Sequence, residues 1–156
     1  MGADLYIKDF PYTHRGFEVS ERAVKSGYFR DCYNQYGLFA VVSATLKNVE
    51  LSWWRTVDRK ELFTKEGDMT VEGAKIFLAE LTPIFKKFKK RKTVCTRELI
   101  FDKPRQINQD GTRKYTYKYK QNGDKEKIEE YRQWADNLLT FLTLAIDNNK
   151  QIEWSV

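Results

Sequence analysis

The residues best placed to do chemistry in this chain are cations and tyrosines gathered on one segment. Between Lys86 and Lys120 stand thirteen basic residues and three acids, Glu98, Asp102 and Asp110, a local charge of +10 in a chain whose total is +6. The remainder is therefore net acidic. A block of Lys and Arg on one segment makes a directional field that attracts polyanions. Lys86, Lys87, Lys89, Lys90, Arg91 and Lys92 follow an apolar stripe that ends at Phe88, so they should leave the core side and enter solvent together. Two readings are open: a solvated helix end whose cations favour the negative end of the dipole, or a phosphate-binding site. A second basic row, Arg113, Lys114, Lys118 and Lys120, favours the latter, because two facing rows can form a groove. The stretch from Lys114 to Lys120 alternates strictly, which puts Tyr115, Tyr117 and Tyr119 on one face of a strand and the lysines on the other. Those tyrosines either face the core or, with Tyr117 at their centre, form a platform on which bases stack.

Signals for catalysis are sparse. His14, the one histidine, sits in a stretch bounded by Pro11 and Gly16, and no local motif marks a serine or either cysteine as its partner. Glycine-rich phosphate loops are missing, as are an RNA-recognition signature, a zinc-finger pattern and a convincing helix-turn-helix. The run from Gln106 to Gly111 is a poor calcium loop: its first ligand would be Gln106 and its twelfth Tyr117, where a bidentate Glu is needed. Asp4, Asp9, Asp31, Asp58 and Asp68 are scattered, and spacing alone neither assembles nor excludes a two-metal site. No cofactor or metal is expected. A metal-dependent phosphodiester-acting enzyme is kept as the alternative to a non-enzymatic binder.

The elements that must position these residues can be read from periodicity. Ala3, Leu5 and Ile7 alternate with polar residues, as in a short N-terminal strand, possible at a sheet edge. Residues 9–37, punctuated by Pro11, Gly16, Gly27 and Gly37, read as a long surface connection with a short helix near Val19 to Lys25. Three-to-four spacing of Val42, Leu46, Val49, Trp53 and Val57 predicts a helix over 38–58, although the β-branched residues keep a strand open. A second helix starts at Thr70 with the stripe Ala74, Phe77, Leu78, Leu81, Phe85 and Phe88, and Pro83 should kink or divide it near Leu81. Residues 94–101 and 112–120 read as two strands facing each other across a turn at Asp110-Gly111. The last helix runs from an Asp124 cap through Ile128, Tyr131, Trp134, Leu138 and Leu142 to Asn148 and Asn149. The expectation is one α+β domain over residues 1–156, with about three main helices and a small antiparallel sheet.

Adjacent helical residues point about 100° apart, so Trp53 and Trp54 cannot both enter one core layer. Trp53 fits the stripe. Trp54 is left to cover a second surface, with Tyr28, Phe29, Tyr33 and Tyr36 in the covering layer, or to serve as a protein-partner hot spot. Cys32 and Cys95 lie far apart without a disulfide framework and read as reduced thiols, and no apolar run approaches the roughly 18 residues of a membrane span. A cytoplasmic protein is expected.

Three stretches carry a resemblance. The opening Met1-Gly-Ala-Asp-Leu-Tyr-Ile7, the run Ser26-Gly-Tyr-Phe-Arg-Asp-Cys-Tyr-Asn34, and Leu51-Ser-Trp-Trp54 followed by Glu66-Gly-Asp-Met-Thr70 resemble a group of small bacteriophage and prophage proteins. The similarity covers about the first 80 residues and leaves out the Lys/Tyr-rich segment. It transfers no functional residue. It implies a phage-type accessory protein, a role often directed against host nucleic-acid-based defence, whose partner would be nucleic acid, a ribonucleoprotein or an acidic host protein.

Overall fold

The computed structural model describes residues 2–11, 21–100, 106–107, 113–114 and 116–156, and of residues 106, 107, 113 and 114 the backbone alone. The fold is α+β, as the periodicities require. Strand β1 (Gly2–Ile7) buries Ala3, Leu5 and Ile7 on one face, the period-2 pattern of a half-covered strand. It is not an edge strand. Helix α1 (Glu21–Lys25) leads into β2 (Tyr28–Cys32), which pairs antiparallel with β1 from Gly2↔Cys32 to Tyr6↔Tyr28. The stretch read as a surface connection thus contributes a sheet strand whose Tyr28 and Phe29 are buried.

Helix α2 (Leu38–Leu46) is buried at nearly every position, which is why its apolar pattern wraps the whole helix. The single helix expected over 38–58 is two. Lys47 takes a left-handed conformation, φ 62°, and ends α2. The chain then returns along the helix, where the Leu51 N–H donates to Ser43 Oγ at 2.8 Å. Ser52 caps α3 (Trp53–Val57) by accepting the Arg55 N–H. Val49 and Trp53 match the helical period of α2 by coincidence of spacing, not because the helix continues.

After a 3-10 turn at Lys60–Leu62, Thr70 caps α4 (Val71–Lys89) through its hydroxyl, 2.8 Å from the Gly73 N–H. Gly73 is needed there, since a Cβ would lie 2.2 Å from the Leu62 carbonyl oxygen. Pro83 lies inside α4 without dividing it. Strand β3 (Val94–Leu99) follows, then the short pair β4 (Gln106–Ile107) and β5 (Arg113–Lys114), and β6 (Tyr117–Asn122). The β3–β6 ladder runs from Val94↔Asn122 to Leu99↔Tyr117, and β5 pairs with β4. The expected strand over 112–120 is therefore two segments, and the Asp110-Gly111 turn lies outside the described residues.

Asp124 caps α5 (Lys125–Asp147) by accepting the Lys127 N–H, and Ile128, Tyr131, Ala135, Leu138, Phe141, Leu142 and Ala145 form its buried stripe. Trp134, expected mid-stripe, is only half-buried. It flanks the core, stacks on Tyr131 and donates from Nε1 to the Arg30 carbonyl at 3.0 Å. Strand β7 (Ile152–Ser155), unread in the sequence because it is so short, completes the sheet in the order β2-β1-β7. One cluster of buried side chains links this sheet to α2, α4 and α5.

A single buried carboxylate ties several of these elements together. Asp31 Oδ1 accepts the N–H groups of Cys32 and Leu38, both at 2.7 Å, and Oδ2 accepts those of Phe39 at 3.2 Å and Trp53 Nε1 at 2.9 Å. It therefore caps α2 from the end of β2 and holds the Trp53 ring, which stacks on Phe39 with centroids 4.0 Å apart. Burial pushes the Asp31 carboxyl above its ordinary value, and the four donors work against that shift.

Candidate nucleic-acid interface

The basic run emerges where α4 ends. Its stripe Phe77, Leu81, Phe85 and Phe88 is buried, so the intervening and following positions turn outward. Lys86, Lys87, Lys90, Arg91 and Lys92 are exposed, and none takes part in an ion pair among the described residues. Lys89 differs from its neighbours: its Nζ lies 2.6 Å from Asp136 Oδ1, joining α4 to α5. The Arg91 carbonyl is likewise used, accepting from the Arg132 guanidinium at 2.9 Å.

Of the acids of α5, Asp136 takes Lys89, and two others are engaged along their own helix. Glu129 pairs with Arg132 and Glu130 with Lys127. Of the second row, Lys118 and Lys120 are exposed on β6 and stand opposite Glu98 and Thr96. Lys92 lies four residues before Thr96, at most about 14 Å along the chain plus about 5 Å across the ladder from Lys120. The two rows are thus adjoining parts of one end of the molecule. The side chains of Arg113 and Lys114 lie outside the description, although their backbone is placed in β5.

Of the tyrosine face, Tyr117 is half-buried and Tyr119 is 43% exposed, so neither lies in the core. Arg97 makes a bidentate pair with Glu50, with nitrogen-oxygen distances of 2.7 and 2.8 Å, and its guanidinium lies over the Tyr117 ring, 4.7 Å from the centroid. Lys47 Nζ sits 5.0 Å from the Tyr119 centroid. One face of each ring thus carries a cation of this chain. Tyr115 lies outside the described residues.

Trp54 does not cover the core. It is 60% exposed and stacks on Tyr33 at 5.4 Å, while Tyr36 is 57% exposed and its carbonyl accepts the Tyr131 hydroxyl. Cys32 and Cys95 are free thiols. His14 lies outside the described residues. Four of the five scattered acids go to separate duties: Asp4 accepts from Tyr28, Asp9 pairs with Lys150, Asp68 with Lys8, and Asp31 is the cap described above, while Asp58 is exposed. No described helix is long and apolar enough to cross a membrane. Comparison with family models, curated proteins and solved structures gave no match.

Proposed function

We propose that the protein is a non-enzymatic binder that docks on the phosphates of a nucleic-acid strand through the basic end formed by α4 and the β3–β6 hairpin. The observation that carries this reading is the set of five exposed cations, Lys86, Lys87, Lys90, Arg91 and Lys92, without ion-pair partners among the described residues, beside the exposed Lys118 and Lys120. Because Tyr117 and Tyr119 are engaged by Arg97 and Lys47, recognition rests on backbone charge rather than on stacked bases and is insensitive to sequence. The resemblance to small phage proteins adds a context, in which the bound strand or ribonucleoprotein belongs to a host defence system.

The test is fluorescence anisotropy with labelled single-stranded and duplex oligonucleotides across a salt series. Five neutralised phosphates give a slope of log affinity against log salt of about −3.5 for a single strand and about −4.5 for a duplex. Replacing Lys86, Lys90 and Lys92 by Glu should abolish binding while leaving the unfolding curve in place, since exposed charges contribute little to stability. Binding that ignores salt, or that survives the triple replacement, would refute the proposal. A second reading, a protein-partner site, is favoured by the exposure of Trp54 alone.

A further inference from the structure

At the other end of α4, roughly 27 Å from the basic run by helical rise, the sheet has an open edge. Backbone groups of an antiparallel strand face alternate neighbours, and the Lys8 N–H donates to the Gln151 carbonyl, so Gln151, Glu153 and Ser155 point toward β1. Ile152 and Trp154 point the opposite way. Ile152 is covered there by Met69, with N–H to carbonyl bonds of 2.8 and 3.0 Å in the two directions. The covering chain then turns away. Gly67 adopts φ 89°, its N–H donates to the Thr64 carbonyl, and the Asp68 carbonyl accepts from Thr64. Among the described residues nothing bonds to the main-chain N–H or carbonyl of Trp154.

Beside that unpaired edge lies a cavity of about 550 Å³, lined by Val57, Lys60, Phe63, Lys65, Trp154 and Val156 among others. Lys60 and Lys65 are exposed and have no ion-pair partner among the described residues; of the nearby acids, Glu61 and Asp68 are taken by Arg59 and Lys8, while Asp58 and Glu66 are exposed and outside the cavity lining. No acidic side chain lines the cavity among the described residues. Among the described residues the Trp154 indole N–H is also buried without an acceptor.

We infer that this edge receives an extended, acidic peptide segment of a partner protein. The peptide adds as a strand next to β7 by bonding to the free main-chain groups of Trp154. Its apolar side chains enter the cavity against Phe63 and Trp154, and its carboxylates meet Lys60 and Lys65. Main-chain bonds supply the affinity of such strand addition, and pockets with matched charge supply the choice of partner. The site is independent of the proposed nucleic-acid interface and stands or falls separately.

The experiment is two-dimensional amide NMR of the nitrogen-15-labelled protein. It is titrated with three short, end-capped probes: a peptide alternating Glu and Val, its Lys/Val counterpart, and the Glu/Val peptide with N-methylated backbone. The Glu/Val peptide should shift the Trp154 amide and its neighbours saturably, and neither other probe should. The variant Lys60→Glu/Lys65→Glu, altered only at exposed side chains, should keep its spectrum and lose about tenfold or more in affinity. Equal shifts with the Lys/Val peptide, unchanged affinity in the variant, or shifts confined to residues 86–92 would overturn the inference. So would movement of the Trp154 amide with protein concentration alone, which would assign the edge to a second copy of this chain.

Discussion

Replacing Asp31 by Asn changes one oxygen to an amide nitrogen at a site that is almost wholly enclosed. The native carboxylate accepts four N–H groups, two on each oxygen. The asparagine carbonyl can serve only one of those pairs, and its NH2 is then driven against two further donors. Two buried N–H groups are left unpaired at about 1–3 kcal/mol each. Part of this is returned because the variant no longer buries a charge, the same desolvation that raises the Asp31 carboxyl. The expected net cost is about 2–4 kcal/mol, a large share of the roughly 5–15 kcal/mol that holds a domain together. Urea unfolding at neutral pH reads it as a midpoint lowered by about 1–2 M at unchanged slope. Trp53→Phe, which withdraws one of the four donors, should cost less in the Asp31→Asn background than in the native one, because that N–H is already unsatisfied there. An Asp31→Asn variant within about 0.5 kcal/mol of its parent would refute the idea that this carboxylate joins β2, α2 and α3.

Gly37→Ala should cost about 1–3 kcal/mol in the same assay, because the new Cβ would sit 2.0 Å from the Cys32 carbonyl oxygen and must push the end of β2 from the start of α2. Arg97 holds the Glu50 carboxyl below its ordinary value of 4.5. Stability from this pair is therefore complete above that pH and lost as pH falls through the depressed value. Glu50→Gln should cost under about 1 kcal/mol at neutral pH and nothing in acid, as measured by paired thermal unfolding. Tyr119→Ala should leave nucleic-acid affinity within about twofold while slightly lowering stability, since its ring is engaged by Lys47. A large loss of affinity in that variant would instead assign Tyr119 to a stacking platform. Reductant should not shift the unfolding midpoint, because both cysteines are free thiols.

Local signals were enough wherever one residue type decides a local geometry. Thr70 and Asp124 cap their helices as their positions suggest, because an Ncap hydroxyl or carboxylate needs only the N–H groups one turn ahead. The stripes of α4 and α5 are likewise written in their spacing, and so is the presence of two strands that pair as β3 and β6, although not the break of the second into β5 and β6. The outward turn of the cations after Phe88 follows from the same stripe. What the sequence could not decide depends on partners distant along the chain. Strand β2 was hidden because a five-residue strand that follows a glycine gives almost no periodicity, and it exists through its ladder to β1, 22 to 30 residues earlier. The break at Lys47 was concealed by apolar residues that keep the helical period across a turn. Asp31 looked like one acid among several, since nothing nearby in sequence announces that Trp53 will bring its N–H back to it. The cations over Tyr117 and Tyr119 depend on the arrival of Lys47 and the Glu50-held Arg97, and the open edge at Trp154 on where the 64–68 turn departs from the sheet. Cap, stripe and hairpin energies are local; which face is covered, and by what, is fixed by long-range packing, and that belongs to the tertiary structure.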